Sequence, residues 1–409
     1  MNAMNGFLQM TPSAQEFAAL QHVFEQIQGY ALVRHGRRNV WLGLVSIEKG
    51  AAVKEVSAAF KFWGQKATTA AQLRETRNRY RAAESDAARA ATRVEAVYAV
   101  GLSAAGFQAL QAGECPVAEP FLNGFGGSFP AWRNPDGTFD GVVVIASDDA
   151  VTQLPTAASA VTQSFAGLGR VQWEPGAVLS PEADHFGFAE SISQPEFFAD
   201  ELTPGDRWNA AATLNYVLTP QPGHPNEFGS YMAFLKIEQF VQDFKQLVAA
   251  VGGNPDEVKA RIMGRRPDGV PLADPPDRND FDDASLTAGN CPFAAHIRKV
   301  NPRTATERHH RVFRRGVFYT EGERRGALFQ CFQSSLTLGF EHILREWALS
   351  SEFPTAGTGE DPILGERDWP PLPTGATAPA TAATVRRLTQ IRFGEYFYFP
   401  STPFFSRMS

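Results

Sequence analysis

The chain has 409 residues, of which 43% are hydrophobic and 20% are charged, and its net charge is −6 at pH 7. This composition is typical of a folded protein large enough for two domains, and it excludes disordered and fibrous classes. The basic residues are scattered apart from two short clusters, "RHGRR" and "HHRVFRR", so no nucleic-acid partner is expected. The two clusters suit the binding of one small anion or exposure to solvent.

The cysteine spacing and the N-terminal sequence indicate in which compartment the protein is expected. Three cysteines lie far apart without a C-x-x-C pair, which argues against a zinc site, a disulfide framework or covalently attached haem. The N-terminus lacks a basic start followed by an apolar stretch, and no segment reaches the roughly 18 apolar residues of a membrane span. We therefore expect a cytoplasmic protein with no membrane partner.

In the first half of the chain, strands flank a long helical region. Residues 31–46, "ALVRHGRRNVWLGLVS", predict a hairpin or a strand with its lead-in. Residues 53–110 are rich in Ala, Arg, Gln and Glu, which favours helices broken by loops. The β-branched run "FDGVVVIAS" and the segment "VQWEPGAVL" then predict two strands.

The second half repeats a strand followed by a helix. Residues 229–253 and 325–349 each begin as a strand and continue as an amphipathic helix, and "GEYFYFPS" predicts a late strand. Residues 265–283 are rich in Pro, Gly and Asp and are expected to be irregular, as is the loop 370–384. The pattern predicts an α+β fold in which two domains have the same general organisation.

The segment "NCPFAAHIRKVNPR" contains the first candidate site residue. His296 lies between an apolar approach and a basic exit, so its imidazole could ligate a haem iron while Arg298 and Arg303 bind the propionates. A core histidine beside surface arginines explains the same residues.

The strand-like segment "VFRRGVFY" provides a second candidate. One of Arg314 and Arg315 should point inward, where a buried guanidinium requires an anion or a developing negative charge. A salt-bridged arginine at a sheet edge is the alternative. The preceding His309 and His310 could be ligands, although adjacent histidines in a charged run are usually solvated.

The third candidate is the aromatic run "HFGFAESISQPEF". Glu190 is a lone carboxylate among small residues, and an apolar setting would raise its pKa and suit general acid–base chemistry. Glu190 could equally cap the backbone of its own turn, as could Ser191 and Ser193.

Together these motifs resemble the dye-decolourising peroxidases. "HFGFAESISQP", "CPFAAHIRKVNPR" and "FRRGVFY" followed by "RGALFQCFQSS" have that family's order and separation, and the likeness spans most of the chain. The resemblance implies two ferredoxin-like domains, residues 1–183 and 184–409, with antiparallel β-sheets and peripheral helices. It also implies a noncovalent haem b, bound mainly by the second domain.

The resemblance assigns roles to the candidate residues. His296 matches the proximal iron ligand and Arg314 the distal arginine, and Glu190 occupies the position of the catalytic aspartate. In "GTGEDPILG", Asp361 is a candidate for the carboxylate partner of His296 and Glu360 is a second one, with surface exposure as the alternative for both. The implied activity is reduction of hydrogen peroxide through a ferryl intermediate, with oxidation of dyes, phenols or other aromatic electron donors. A homo-oligomer is compatible with this family. Three apolar residues are further candidates for the haem wall: Phe188, Leu328 and Phe329.

The sequence departs from the family pattern at two positions. Glu190 carries one methylene more than aspartate, and catalytic geometry is sensitive to displacements of about 1 Å. Ser191 replaces a glycine, so the loop is expected to be reshaped if that position has a positive φ. These departures leave open a haem-binding carrier, sensor or oxygen-using enzyme with little peroxidase activity. A haem-free interaction protein and a serine hydrolase are further alternatives, although no G-x-S-x-G elbow is present.

Overall fold

The structure is a computed structural model that describes residues 3–202, 212–274, 281–282, 285–286, 290–304, 306–366 and 387–408, with side chains from residue 6 onward. The expected loop at 370–384 lies outside the described residues. The described ranges contain ten strands: β1 Asn39–Ile47, β2 Val97–Leu102, β3 Gly141–Ser147, β4 Gly169–Ala177, β5 Thr219–Gln221, β6 His224–Gln239, β7 Phe313–Arg314, β8 Val317–Glu321, β9 Arg324–Gln333 and β10 Thr389–Phe399.

Helices surround these strands. The α-helices are Ala3–Leu8, Ala14–Ala19, Gln21–Phe24, Gly29–Leu32, Val53–Gln65, Ala70–Ala82, Asp86–Ala91, Ala104–Ala109, Glu119–Ser128, Gln153–Ser164, Val241–Val251, Pro255–Met263, His296–Val300 and Thr402–Arg407. Short 3₁₀ turns are Pro130–Trp132, Ala199–Glu201, Leu214–Tyr216 and Arg308–His310, and wide π-type turns are Thr337–Glu341 and Ile343–Ala348.

The strands form a ring of two four-stranded groups. The first group has the order β4-β1-β3-β2 and the second the order β8-β9-β6-β10, and all described pairings are antiparallel. Single residue pairs join the groups at both edges, Ala177 with Phe318 and Leu102 with Tyr398. The short strands β5 and β7 extend β6 and β9. The chain therefore has a mixed α/β fold built on one continuous sheet.

Strand residues alternate between two buried clusters. In β3, Val142 and Val144 belong to a cluster that draws on both strand groups, whereas Val143 and Ile145 belong to a cluster shared with the outer helices. Because successive strand side chains point to opposite faces, a strand that is covered on both faces must be apolar throughout. This requirement explains the continuous apolar run that identifies β3 in the sequence.

Most of the expected elements are confirmed, and two expectations are wrong. The expected strands at 139–147 and near Trp173 are present as β3 and β4, and the helix after β6 ends at Gly252, which has φ +75°. The lead-in to β1 is instead a helix, Gly29–Leu32. The segment "VYAVGL" is a strand, β2, inside the stretch expected to be helical.

Within the described ranges, no helix is both long and apolar enough to cross a bilayer.

Candidate active site

A cavity of about 710 Å³ lies beside β6 and β9, bordered by the loop at 182–195 and the helix His296–Val300. Its volume is within the range of small-molecule and cofactor sites. Apolar side chains form much of its wall, among them Leu235, Ile237, Phe329, Phe340, Leu344 and Ile363. His296, Glu190 and Arg314 border the same cavity. The fold thus brings Glu190 together with His296 and Arg314, which lie 106 and 124 positions further along the sequence.

His296 is held by a buried carboxylate. Its Nδ1 lies 2.8 Å from Asp361 Oδ2, and Asp361 is fully buried. The other carboxylate oxygen accepts hydrogen bonds from the backbone N–H groups of Ile363 and Leu364, both at 2.8 Å. A carboxylate that accepts from Nδ1 fixes the proton on that nitrogen and leaves the lone pair on Nε2.

Lys299 fixes the loop that leads to Asp361. Its Nζ donates to the carbonyl oxygens of Ser350 at 2.7 Å, Phe353 at 2.5 Å and Gly359 at 2.9 Å. Burial lowers the pKa of Lys299 to about 8, while the negative charge of Asp361 opposes that shift. Since Lys299 belongs to the same short helix as His296, these bonds tie the histidine to the segment that carries its carboxylate partner.

Asp184 organises the loop that presents Glu190. Its Oδ1 accepts hydrogen bonds from the backbone N–H groups of Phe186 at 3.0 Å and Phe188 at 2.8 Å. The Asp184 N–H in turn donates to the Phe188 carbonyl at 2.8 Å. Such side-chain bonds to nearby backbone replace helix or strand pairing, which explains why this aromatic run has neither periodicity.

The backbone at Ser191 has a glycine-like conformation. Its φ is +61°, and Gly187 earlier in the loop has φ +92°. Ser191 thus adopts the left-handed conformation that usually favours glycine, and the expected reshaping of the loop stays a prediction. A left-handed non-glycine residue costs roughly 1 kcal/mol or more.

Arg314 faces the same loop. Its Nη2 donates to the Ser193 carbonyl at 2.8 Å, and its backbone N–H donates to Gln194 Oε1 at 3.1 Å. Burial raises the pKa of Glu190 above its ordinary value, and the positive charge of Arg314 partly opposes this increase. The cavity thus combines a carboxyl group whose proton affinity is increased with an oriented guanidinium.

Phe188 and Phe329 line the cavity, but three expected binding residues do not. Arg298 is two residues after His296 on the same helix, so the two side chains point to different sides of the helix. The Arg298 guanidinium donates instead to the carbonyl oxygens of Leu286 and Cys291. Arg298 is therefore not placed at the cavity rim, and that expectation is wrong.

Arg303 and Leu328 also need correction. The Arg303 guanidinium packs on the Phe281 ring at 3.7 Å and donates to the Phe281 carbonyl, so it lies behind the cavity wall. Leu328 belongs to the cluster on the other face of the sheet, because adjacent residues of β9 alternate and Phe329 takes the cavity side.

The structure adds a basic residue that sequence reasoning missed. Arg265, in the stretch expected to be irregular, lines the cavity and donates to the Gly269 carbonyl at 3.0 Å. Burial lowers its pKa to about 10, and the charge of Arg314 adds to that effect. The long-range fold was needed to find Arg265, since its local sequence resembles a solvated basic run.

Arg315, one of the two arginines of which one was expected to point inward, also borders the cavity. Burial lowers its pKa to about 9.

The residue set fits haem. Apolar walls suit a macrocycle, and a neutral imidazole whose Nδ1 proton is held by a carboxylate presents Nε2 as an iron ligand. Asp361 was one of two expected candidates for this role, and the structure shows the bond to Asp361.

Sequence comparisons agree with this geometry. Residues 206–354 match the family model for Dyp-type peroxidase, C-terminal. The multifunctional dye peroxidase DyP2 of Amycolatopsis sp. is 31% identical over 283 residues, which are 54% of this chain and 60% of that protein. Residues 206–354, which contain His296 and Arg314, are therefore similar to the C-terminal part of Dyp-type peroxidases.

A second relative shows the extent of the similarity. The dye-decolorizing peroxidase AauDyP1 of Auricularia auricula-judae is 26% identical over 64% of this chain and 63% of its own length. The aligned stretch thus spans less than two thirds of these relatives.

Solved structures match over a larger share. A Dyp-type peroxidase of Anabaena sp. superposes with a TM-score of 0.84 at 24% identity, covering 99% of both chains, which shows a common fold. A dye-decolorizing peroxidase in complex with 2,6-dimethoxyphenol has a TM-score of 0.76 at 25% identity and covers 94% of this chain and 98% of its own.

Proposed function

We propose that this protein is a member of the Dyp-type peroxidase family, and that it is a haem peroxidase that reduces hydrogen peroxide and oxidises aromatic donors. The observation that carries the proposal is the single cavity that contains the carboxylate-bound His296 together with Glu190 and Arg314. Support for an aromatic donor comes from a structural relative that was solved with 2,6-dimethoxyphenol.

His296 and the apolar wall would hold a noncovalent haem b. His296 Nε2 would ligate the iron, and Phe329, Phe340 and Leu344 would contact the macrocycle. When bound, haem supplies the oxidation–reduction chemistry that divides the two oxygens of peroxide and passes the oxidising equivalents to the donor.

Glu190 would move the proton. In its ionised form, Glu190 would act as a general base and take a proton from one oxygen of hydrogen peroxide. It would then act as a general acid and give that proton to the other oxygen, which leaves as water. Because its pKa is raised, Glu190 is a stronger base than an ordinary glutamate. For the same reason it becomes protonated at a higher pH than an ordinary glutamate does.

Arg314 would stabilise the negative charge that develops on the leaving oxygen. A guanidinium that is already oriented, here by the Ser193 carbonyl, does not need to reorganise during the reaction. Asp361 would increase the electron density on His296 by accepting the Nδ1 hydrogen bond. Asp361 and Ser193 are positioning residues in this scheme.

We infer that the continuous ring of strands is built from two ferredoxin-like domains, residues 1–183 and residues 184–409. Each strand group has the order of an antiparallel sheet with two strand–helix–strand connections, and only single residue pairs link the groups. The second domain contributes His296, Glu190 and Arg314 to the cavity.

A haem protein with little peroxidase activity is the second candidate. It is favoured by the glutamate itself, because its extra methylene places the carboxyl group differently from the aspartate of the family. If Glu190→Asp gains peroxidase activity over wild type, this second candidate is correct.

The proposal is tested by haem loading and turnover. The purified protein is titrated with haem, and we expect a Soret band that remains after gel filtration in wild type and is lost in His296→Ala. The loaded protein should oxidise 2,6-dimethoxyphenol only when hydrogen peroxide is present. A retained Soret band in His296→Ala would contradict the ligand assignment, and absence of turnover in the loaded wild type would contradict the activity.

A further inference from the structure

A second group of metal-ligating side chains, apart from His296, includes two residues of the cavity wall, Glu307 and His310, and His342 next to them. Among the described residues, the candidate ligand atoms of Glu307, His310 and His342 all lie within 4.8 Å of one another. We propose that these three residues bind one divalent transition-metal ion. The proposal does not depend on haem binding.

Local structure brings the three residues together. Glu307 immediately precedes the 3₁₀ turn Arg308–His310, and the i,i+3 spacing in such a turn puts Glu307 and His310 on one side. His342 lies between the two π-type turns that follow β9. The rings of His310 and His342 stack with their centroids 3.7 Å apart.

The His310 tautomer suits metal binding. Its Nδ1 is hydrogen-bonded to the Leu338 carbonyl, which can only accept, so Nδ1 carries the proton. The lone pair is therefore on Nε2, which lies 3.9 Å from Glu307 Oε2. A ligating histidine commonly has its second ring nitrogen bonded to a carbonyl or carboxylate in this way. His310 is buried, contrary to the expectation that adjacent histidines in a charged run are solvated.

The observed separations are close to those of a coordinated ion. With metal–ligand bonds of about 2.0–2.1 Å, neighbouring ligand atoms around a tetrahedral ion are about 3.3 Å apart. The separation of 3.9 Å between Glu307 and His310 therefore requires only a small side-chain movement. The His342 ring is parallel to His310 and must turn about its Cβ–Cγ bond, a torsion with a broad energy minimum.

The ligand types define the class of ion. Two imidazoles and one carboxylate suit borderline first-row ions such as Zn²⁺, Co²⁺ or Fe²⁺, whereas Mg²⁺ and Ca²⁺ prefer oxygen ligands. Glu307 and His342 are half-buried, so an ion could enter without unfolding of the segment. Trp347 packs edge-on against both imidazoles, with centroids 5.1 and 5.0 Å away, and bounds the site.

Another histidine with nearby carboxylates provides a contrast. His224 lies 3.3 Å from Glu114 and 3.8 Å from Glu227. Arg407 already bonds both carboxylates at 2.8–2.9 Å. A cation there would have to displace a guanidinium, so His224 is a matched control rather than a second site.

Calorimetric titration of the purified protein with Zn²⁺ tests the proposal. Wild type should bind one equivalent, and Glu307→Gln and His342→Gln should each weaken binding at least tenfold. His224→Gln should bind as wild type does. Circular dichroism of each variant checks the fold. Absence of binding in wild type, or equal affinity in Glu307→Gln and His342→Gln, would overturn the proposal.

X-ray absorption at the zinc edge gives a readout that needs no variant. The wild-type complex should show at least two imidazole ligands and oxygen. Fewer than two imidazoles would place the ion elsewhere and overturn the assignment.

Discussion

His296 and Glu190 border the same cavity, but the chain holds them in different ways. His296 bonds a fully buried carboxylate whose other oxygen is occupied by two backbone N–H groups. Glu190 is carried by a loop whose next residue, Ser191, has φ +61°. His296 therefore has a buried, fully bonded partner, whereas Glu190 depends on the conformation of its loop. Under the proposed function, the position of the iron ligand is fixed more firmly than the position of the acid–base group.

Arg314→Leu, at the arginine that faces the Glu190 loop, should have a large effect on the rate. Loss of one oriented donor for a developing negative charge typically costs about 10²- to 10³-fold in rate. We expect that decrease in kcat/KM for hydrogen peroxide, with haem retained. Arg324→Leu, at an exposed strand position, is the control. An unchanged kcat/KM in Arg314→Leu would remove Arg314 from the mechanism.

The variant Asp361→Asn tests whether the buried carboxylate supports His296. Asparagine has one oxygen, so it cannot accept from both His296 and the backbone N–H groups of Ile363 and Leu364. Loss of such a partner typically costs about 10- to 100-fold in metal affinity or activity. We expect weaker haem retention, measured by competition with apomyoglobin.

Glu360→Gln is the matched control for that experiment, because Glu360 is the neighbouring acid and was the other candidate partner. Equal haem affinity in Asp361→Asn and wild type would show that the buried carboxylate does not support the ligand.

The pH dependence of the reaction rate should report the buried environment of Glu190. Burial raises its pKa above 4.5, and the base form is the active one, so the rate should fall as pH decreases through that raised pKa. Since the Arg314 charge lowers the pKa, the acid limb of the residual rate in Arg314→Leu should move to higher pH. Stopped-flow rates between pH 3 and 8 measure both limbs. An acid limb at or below pH 4.5 would contradict the buried setting.

The smallest expected effect is that of Ser191→Gly. Glycine has no steric cost at φ +61°, so this variant should be stabilised by roughly 0.5–1 kcal/mol. Gln111→Gly, at φ +52°, is a parallel case outside the cavity. Urea unfolding of both variants measures the change. A loss of stability in Ser191→Gly alone would mean that the serine side chain supports the loop.

Individual site residues were easier to predict from the sequence than the contacts they make. His296, Glu190 and Arg314 stand in distinctive local motifs, so they could be proposed together before the fold was known, and they border one cavity. Asp361 could only be offered as a candidate, because its bond to His296 joins residues 65 positions apart.

Side-chain direction was the main source of error. Arg298 was placed beside His296 by proximity in sequence, but the short helix turns it to another side. Leu328 and Phe329 are adjacent, and strand alternation places only Phe329 at the cavity. The strand β2 was missed because its alanine and glycine positions resemble the helical stretch around it.

The most direct test of the account is a stopped-flow comparison of haem-loaded wild type and Glu190→Gln, each mixed with one equivalent of hydrogen peroxide. Glu323→Gln, on an exposed turn, is the control. The account predicts a rapid shift of the Soret band in wild type and control, and a shift about 10²- to 10⁴-fold slower in Glu190→Gln. Equal rates in wild type and Glu190→Gln, or an unchanged spectrum in wild type, would contradict it.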